Sequence, residues 1–211
     1  MNTSIKNLLL LYILILSGCA HQPIAPPVNY LPTEDAWTVH QLQLERLENW
    51  KIRGKFSIKQ DDKATTANLT WVQSTPDHYE IALSGPLGQG TVQLSGRPNQ
   101  VIFKDARGNI DRARDAQTLL YQHTGWSLPI ASLYYWTRGL PDPNYPSQYV
   151  LSDQGRVLQL KQHDWQLAYE EYQQYDDDDK DDYVVPRKII LWHDDTRITL
   201  LLNTWQINTD N

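Results

Sequence analysis

Trp50-Lys51-Ile52-Arg53-Gly54-Lys55-Phe56-Ser57-Ile58-Lys59 decides the fold class of this 211-residue chain. Trp50, Ile52, Phe56 and Ile58 alternate with Lys51, Arg53, Lys55 and Lys59. That period of two marks a strand with one buried face. Gly54 falls on the apolar side, where it permits a bend or a close backbone approach. The pattern returns downstream: Ala67, Leu69 and Trp71 on one face, then Tyr79, Ile81 and Leu83, then Val92 and Leu94, and less cleanly Val101 and Phe103. Turn residues fill the gaps, as in Gln60-Asp61-Asp62, Thr75-Pro76-Asp77, Gly85-Pro86-Leu87-Gly88 and Gly96-Arg97-Pro98-Asn99. Five strands with short connections predict an antiparallel meander.

The period changes on either side of the meander. Upstream, Thr33 caps a helix expected to run to about Asn49, with Trp37, Leu44 and Leu47 facing inward. Downstream, Ala116, Leu119, Leu120 and His123 fall at helical spacing, and Gly125 stops that helix. Pro129 suits the first turn of another helix, with Ile130, Leu133, Trp136 and Thr137 along its face and Gly139 and Pro141 after it. Strands then resume over Val157 to Lys161, Trp165 to Glu171, Lys188 to His193 and Arg197 to Leu202, with Trp205 and Ile207 extending the last. Strand, helix and strand again make a β-rich α+β domain. Eight Trp and twelve Tyr compensate for a modest 40% hydrophobic content, because each aromatic side chain buries a large area.

Formal net charge is −6. Most of it comes from one tract, Asp176 to Asp182, whose six Asp and one Lys carry −5. Like charges in a row resist folding, so residues 175–183 read as a solvated acidic loop. The tract lacks the glycine turn and ligand spacing of a calcium loop. Such a balance excludes a polybasic nucleic-acid binder. The chain has no G-x-S-x-G, no H-E-x-x-H, no cysteine pair and no glycine-rich phosphate loop. Its six histidines are scattered, and His193-Asp194-Asp195 reads as a strand end and turn. Nothing here marks an enzyme, a metal site or a cofactor.

The N-terminus carries a different message. Lys6 precedes an unbroken apolar run of nine residues, Leu8 to Leu16. That length suits the core of a secretory signal and is short of the ~20 residues of a spanning helix. Leu16-Ser17-Gly18-Cys19 follows, and resembles the lipobox of bacterial lipoproteins. The resemblance implies that residues 1–18 are removed and that Cys19, the chain's single cysteine, carries a diacylglyceryl group and an N-acyl chain. Acyl chains at about 0.8 kcal/mol per buried CH₂ make a stable anchor. Ala20 in place of Asp implies export to the outer membrane, on its periplasmic face. Residues 19–32 hold four prolines and no periodicity, as expected of a tether, leaving residues 33–211 as the domain.

Further stretches resemble the LolB family of outer-membrane lipoproteins. They are Arg53-Gly54-Lys55-Phe56, Trp71, Pro86-Leu87-Gly88, Leu128-Pro129-Ile130 through Leu133 and Trp136, Gly139-Leu140-Pro141, and Asn203-Thr204-Trp205. They run in order from the lipobox to the C-terminus. The resemblance implies a strongly curved antiparallel sheet, an unclosed half-barrel, lidded by helices over an apolar cavity. It implies an anchored, monomeric receptor that accepts triacylated lipoproteins from a LolA-like periplasmic carrier and inserts them into the outer membrane, with no nucleotide or metal. Leu87 matches the family's protruding apolar loop residue, held to enter the membrane.

Alternation, rather than the resemblance, selects the residues expected to line the cavity. They are Trp50, Ile52, Phe56, Leu69, Trp71, Ile81, Leu83 and Leu94 from the sheet, and Leu119, Leu133 and Trp136 from the helices. Periodicity does not separate a lined cavity from a plain core. A structural outer-membrane lipoprotein with a packed core is therefore the alternative. The family's receiver is expected to be basic toward an acidic carrier. This chain is net acidic, yet Lys51, Arg53, Lys55 and Lys59 form a basic row.

Overall fold

A computed structural model describes residues 34–86, 90–176 and 182–207. The signal and tether segments, Cys19, Leu87 and the centre of the acidic tract lie outside them. The described residues form one compact unit. The elements are α1 (Glu34–Glu45), β1 (Trp50–Gln60), β2 (Lys63–Thr75), β3 (His78–Ser84), β4 (Val92–Arg97), β5 (Gln100–Lys104) and β6 (Ile110–Ala113). They continue with α2 (Ala116–Thr124), α3 (Ile130–Trp136), β7 (Gln148–Leu151), β8 (Val157–Gln162), β9 (Trp165–Asp176), β10 (Asp182–His193) and β11 (Thr196–Ile207).

All eleven strands join one antiparallel sheet in the order β6-β5-β4-β3-β2-β1-β11-β10-β9-β8-β7. One meander runs outward from β1 to the edge at β6. The chain then crosses through α2 and α3 to the far edge at β7 and returns inward to β11. There β11 pairs with β1 from Trp50↔Ile207 to Gln60↔Thr196. The sheet is open, with β6 and β7 as its two edges.

The alternation read on β1 is the buried face: Trp50, Ile52, Phe56 and Ile58 are all buried. On β11 the parity changes midway. Ile198, Leu200 and Leu202 are buried, and so are Trp205 and Ile207. The register shifts between Arg53 and Gly54 on β1, so that Asn203 is skipped. This bulge lets even and odd positions share a face. Gly54 belongs to the same irregularity, since a Cβ there would lie 1.8 Å from the Leu201 carbonyl oxygen.

β6 and β7 went unread in the sequence. Ile110, Asp111 and Arg112 are exposed, as are Gln148, Tyr149 and Val150. Edge strands this exposed bury no face and leave no alternation to find. β9 and β10 extend into the acidic tract: Tyr175 pairs with Tyr183 and Asp176 with Asp182, and Tyr183 is buried. Residues 177–181 lie outside the described residues.

The expected Thr33 cap lies outside the described residues. α1 stops at Glu45, short of the expected Asn49, and Pro129 stands at the N-cap of α3, one position before its first turn. Asp115 caps α2 by accepting from the Thr118 N–H at 2.6 Å. Gly125 ends α2 at φ 75° and donates to the Tyr121 carbonyl at 2.9 Å. His123, at the same helical spacing as Leu119 and Leu120, is exposed; it lies 3.0 Å from Asp111 and stacks on Phe103. Between α1 and the sheet, His40 is buried beside Tyr172, and its Nε2 finds no partner among the described residues.

Burial, helped by the Arg156 charge, lowers the His40 pKa from 6.5 to about 4. The folded protein therefore keeps this ring neutral where an unfolded chain would protonate it. Its contribution is complete above the unfolded pKa and is lost as pH falls toward 4, up to roughly 3 kcal/mol. Urea unfolding at pH 7 and pH 4.5 tests this. His40→Phe should lose clearly less stability across that interval than the parent. Parallel losses would show that His40 does not contribute.

Candidate functional site

An apolar cleft lies between the buried face of the sheet and the two crossover helices. Phe56 of β1, Leu69 and Trp71 of β2, Ile81 and Leu83 of β3, Val92 and Leu94 of β4, Phe103 of β5 and Ile198 and Leu200 of β11 form its floor. Leu120 of α2, Trp126 and Leu128 of the linker, and Ile130 and Leu133 of α3 form its roof. Gln93 is the one polar side chain among its sixteen lining residues.

The cavity volume of the resting cleft is only about 50 Å³. A methylene takes roughly the 30 Å³ of a water, so a 16-carbon chain needs about 500 Å³. The resting cleft, at about 50 Å³, is therefore nearly closed and far too small for one chain. Admitting even one chain requires the roof to move away from the floor.

Seven of the residues selected by alternation meet here: Phe56, Leu69, Trp71, Ile81, Leu83, Leu94 and Leu133. Trp50, Ile52, Leu119 and Trp136 do not. All four are buried in the surrounding core. Trp50 packs among Trp71, Tyr134 and Trp205. Trp136 donates to Gln162 at 2.8 Å and sits near Trp165. Same-face alternation finds the buried side of a strand, but position along the strand separates cleft from packed core.

Ile198 and Leu200 escaped selection because their place depends on β11 lying beside β1, a pairing between the two ends of the domain. Leu120, Trp126, Leu128 and Ile130 were missed because the roof is an interhelical turn, whose side-chain directions follow no simple period. Phe103 was visible as a weak alternation signal.

The floor is held in position by polar contacts at one end. The Trp71 indole N–H donates to Gln73 Oε1 at 2.9 Å. Gln73 is itself buried and donates from Nε2 to the Thr75 carbonyl at 2.6 Å. The turn between β2 and β3 thereby fixes the Trp71 ring. At the other end, Leu83 and Val92 are paired just before and after the β3–β4 loop. In that loop Pro86 is exposed and Gly90 adopts φ 66°. Leu87 lies outside the described residues, within the same loop.

Among the described residues no group of three His, Cys, Asp or Glu is placed to hold a metal ion. No helix among them is long and apolar enough to cross a membrane. On the outer face of β1, Arg53, Lys55 and Lys59 are exposed and Lys51 is half-buried.

The family model described as outer membrane lipoprotein LolB matches residues 48–205. The chain is 34% identical over 194 residues to an outer-membrane lipoprotein LolB of Pseudomonas fluorescens, covering 92% of each. It is also 34% identical over 207 residues to one of Stutzerimonas stutzeri, covering 96% of each. Among solved structures, a putative outer membrane lipoprotein-sorting protein domain from Vibrio parahaemolyticus aligns with TM-score 0.51 at 9% identity, over 84% of this chain and 92% of that one. A DUF1329 family protein from Desulfovibrio piger aligns with TM-score 0.53 at 7% identity, over 85% and 95%. At such identities these two likenesses speak for the fold alone.

Proposed function

Since the chain belongs to the LolB family of outer membrane lipoproteins, we propose that its apolar cleft receives the acyl chains of lipoproteins from a soluble periplasmic carrier and releases them into the outer membrane. The cleft carries this reading: fifteen apolar side chains and one glutamine converge between sheet and helices. Three acyl chains hold roughly 40–50 methylenes at about 0.8 kcal/mol each, so exposing them to water would cost tens of kcal/mol. A receiver must shield them throughout. The handover makes and breaks no covalent bond. Without an energy source it runs only if the receiver binds the chains more tightly than the donor. A narrow resting cleft that opens on loading meets both needs, because its walls close when the chains leave. Lipidation at Cys19 holds the protein, as a monomer, at the membrane that accepts the cargo.

A carrier loaded with a labelled lipoprotein, mixed with the non-lipidated form lacking residues 1–19, tests the reading. Label should move to this chain. Label that stays on an active carrier while the acceptor is folded would instead favour a structural lipoprotein with a packed core.

Leu87 is assigned the delivery step. A leucine buried in lipid is worth about 1.5–3 kcal/mol, enough to engage a bilayer to which the protein is already tethered. Leu87→Glu should leave folding and cargo acceptance intact and slow delivery to vesicles about tenfold or more. Delivery at the parental rate would remove the loop from the mechanism.

A further inference from the structure

A second chamber, with a volume of about 620 Å³, shares lining residues with the cleft. Trp71 and Ile130 line both spaces. The walls of the second are different in kind. Arg97 at the end of β4, Arg114 just after β6, Asn99, Tyr79 and Tyr135 line it, all residues with hydrogen-bond donors. We propose that this chamber is a polar subsite for the ester- and amide-bearing head of the lipidated cysteine, next to the cleft that takes its acyl chains. The inference rests on the acyl-binding function proposed above.

Three observations select that ligand chemistry. The first is contiguity. A lipidated cysteine is an apolar bundle joined directly to a cluster of ester and amide carbonyls, and the apolar and polar spaces lie on either side of shared wall residues, Trp71 and Ile130.

The second is charge. Asp77 and Asp115 line the chamber together with Arg97 and Arg114, so these four charges balance. A phosphate or carboxylate finds no excess of positive charge, whereas neutral carbonyl acceptors find guanidinium and phenol donors.

The third is rigidity. The Tyr79 ring lies flat on Gly96, where a Cβ would approach it to 2.1 Å. Burial, and then the charge of Asp115, push its phenol up to about 12. It is thus a fixed donor that stays protonated at any physiological pH. Gln73, locked to the β2–β3 turn, holds the Trp71 ring in the wall that the two spaces share.

Two ligands distinguish the subsite from the cleft: a synthetic triacylated lipopeptide, and a long-chain alkane probe with a terminal fluorophore and no carbonyls. Their affinities would be measured by fluorescence titration for the non-lipidated form lacking residues 1–19, for the Arg97→Ala/Arg114→Ala double variant and for Tyr79→Phe. The arginines are exposed, and phenylalanine keeps the ring over Gly96, so all forms should melt at similar temperatures. The double variant should bind the lipopeptide about tenfold more weakly and Tyr79→Phe a few-fold more weakly. Binding of the alkane probe should be unchanged in both.

Equal losses for both ligands, or none for either, would overturn the polar subsite while leaving the acyl cleft in place. If the parent bound neither ligand, the acyl-binding function itself would fall, and the subsite with it.

Discussion

Gly54→Ala is expected to destabilise the domain by about 4 kcal/mol, among the largest effects open to a single added methyl. The new Cβ would stand 1.8 Å from the Leu201 carbonyl oxygen and 2.9 Å from its carbon. Both are backbone atoms, so no side-chain rotation relieves the contact. Relief must come from separating β1 and β11 at the seam where the two meanders meet. The same bulge sets the faces of Leu202 and Trp205, so a shift there disturbs packing on both sides. Urea unfolding of the non-lipidated form measures the loss, which should appear as a midpoint about 10 °C lower in a thermal melt. A loss below about 1 kcal/mol would mean that the seam yields easily, and that Gly54 serves some other purpose than close approach.

Arg138→Ala should cost about 3–4 kcal/mol and loosen the roof of the cleft. Arg138 follows α3 and is 2% exposed. Its Nη1 donates to the Leu44 and Leu47 carbonyls at 3.3 and 3.1 Å, and its Nε to the Tyr134 carbonyl at 3.2 Å. The guanidinium lies 4.0 Å from the Tyr134 ring centroid. α1 has no basic residue in its own last turn. Arg138 thus places a cation at the negative end of that helix, where it complements the helix dipole. Removing it takes a donor from three carbonyls. Leu44 keeps the Leu47 N–H at 3.1 Å and Tyr134 keeps the Thr137 hydroxyl at 3.4 Å. The main loss therefore falls on the buried Leu47 carbonyl, at about 1–3 kcal/mol, together with the cavity left behind. Arg138→Lys keeps the charge without the planar fork, and should recover less than half of the loss. Because α3 supplies Ile130 and Leu133 to the cleft, Arg138→Ala should also alter acyl-probe binding below its melting point. Stability equal to that of the parent would show that the α1–α3 tie contributes nothing.

These two residues mark how far sequence reasoning reached. Gly54 was recognisable as a glycine on the apolar face of a strand, calling for a bend or close approach, but the partner that approaches it was not. Arg138 gave no signal at all: a lone arginine after a helix reads as surface, and its three acceptors lie up to 94 positions away in sequence. The cleft divides in the same way. Phe56, Leu69, Ile81 and Leu94 were legible because a half-buried strand repeats every second residue. Ile198 and Leu200 joined the same floor only through the β1–β11 pairing.

The sequence by itself determined the class of fold, the buried faces of the main strands, the helix stop at Gly125, and the family resemblance. These are local properties, written in periodicity, turn chemistry and short motifs; α3, by contrast, ends at Trp136, before the Gly139 expected to stop it. Only the tertiary structure decided that the two meanders close into one eleven-stranded sheet, that edge strands β6 and β7 exist, and that Trp50, Ile52, Leu119 and Trp136 belong to packed core while their neighbours face a cleft. The physical reason is that burial is set by the sum of all contacts around a side chain. Alternation reports only which side of its own strand that side chain occupies.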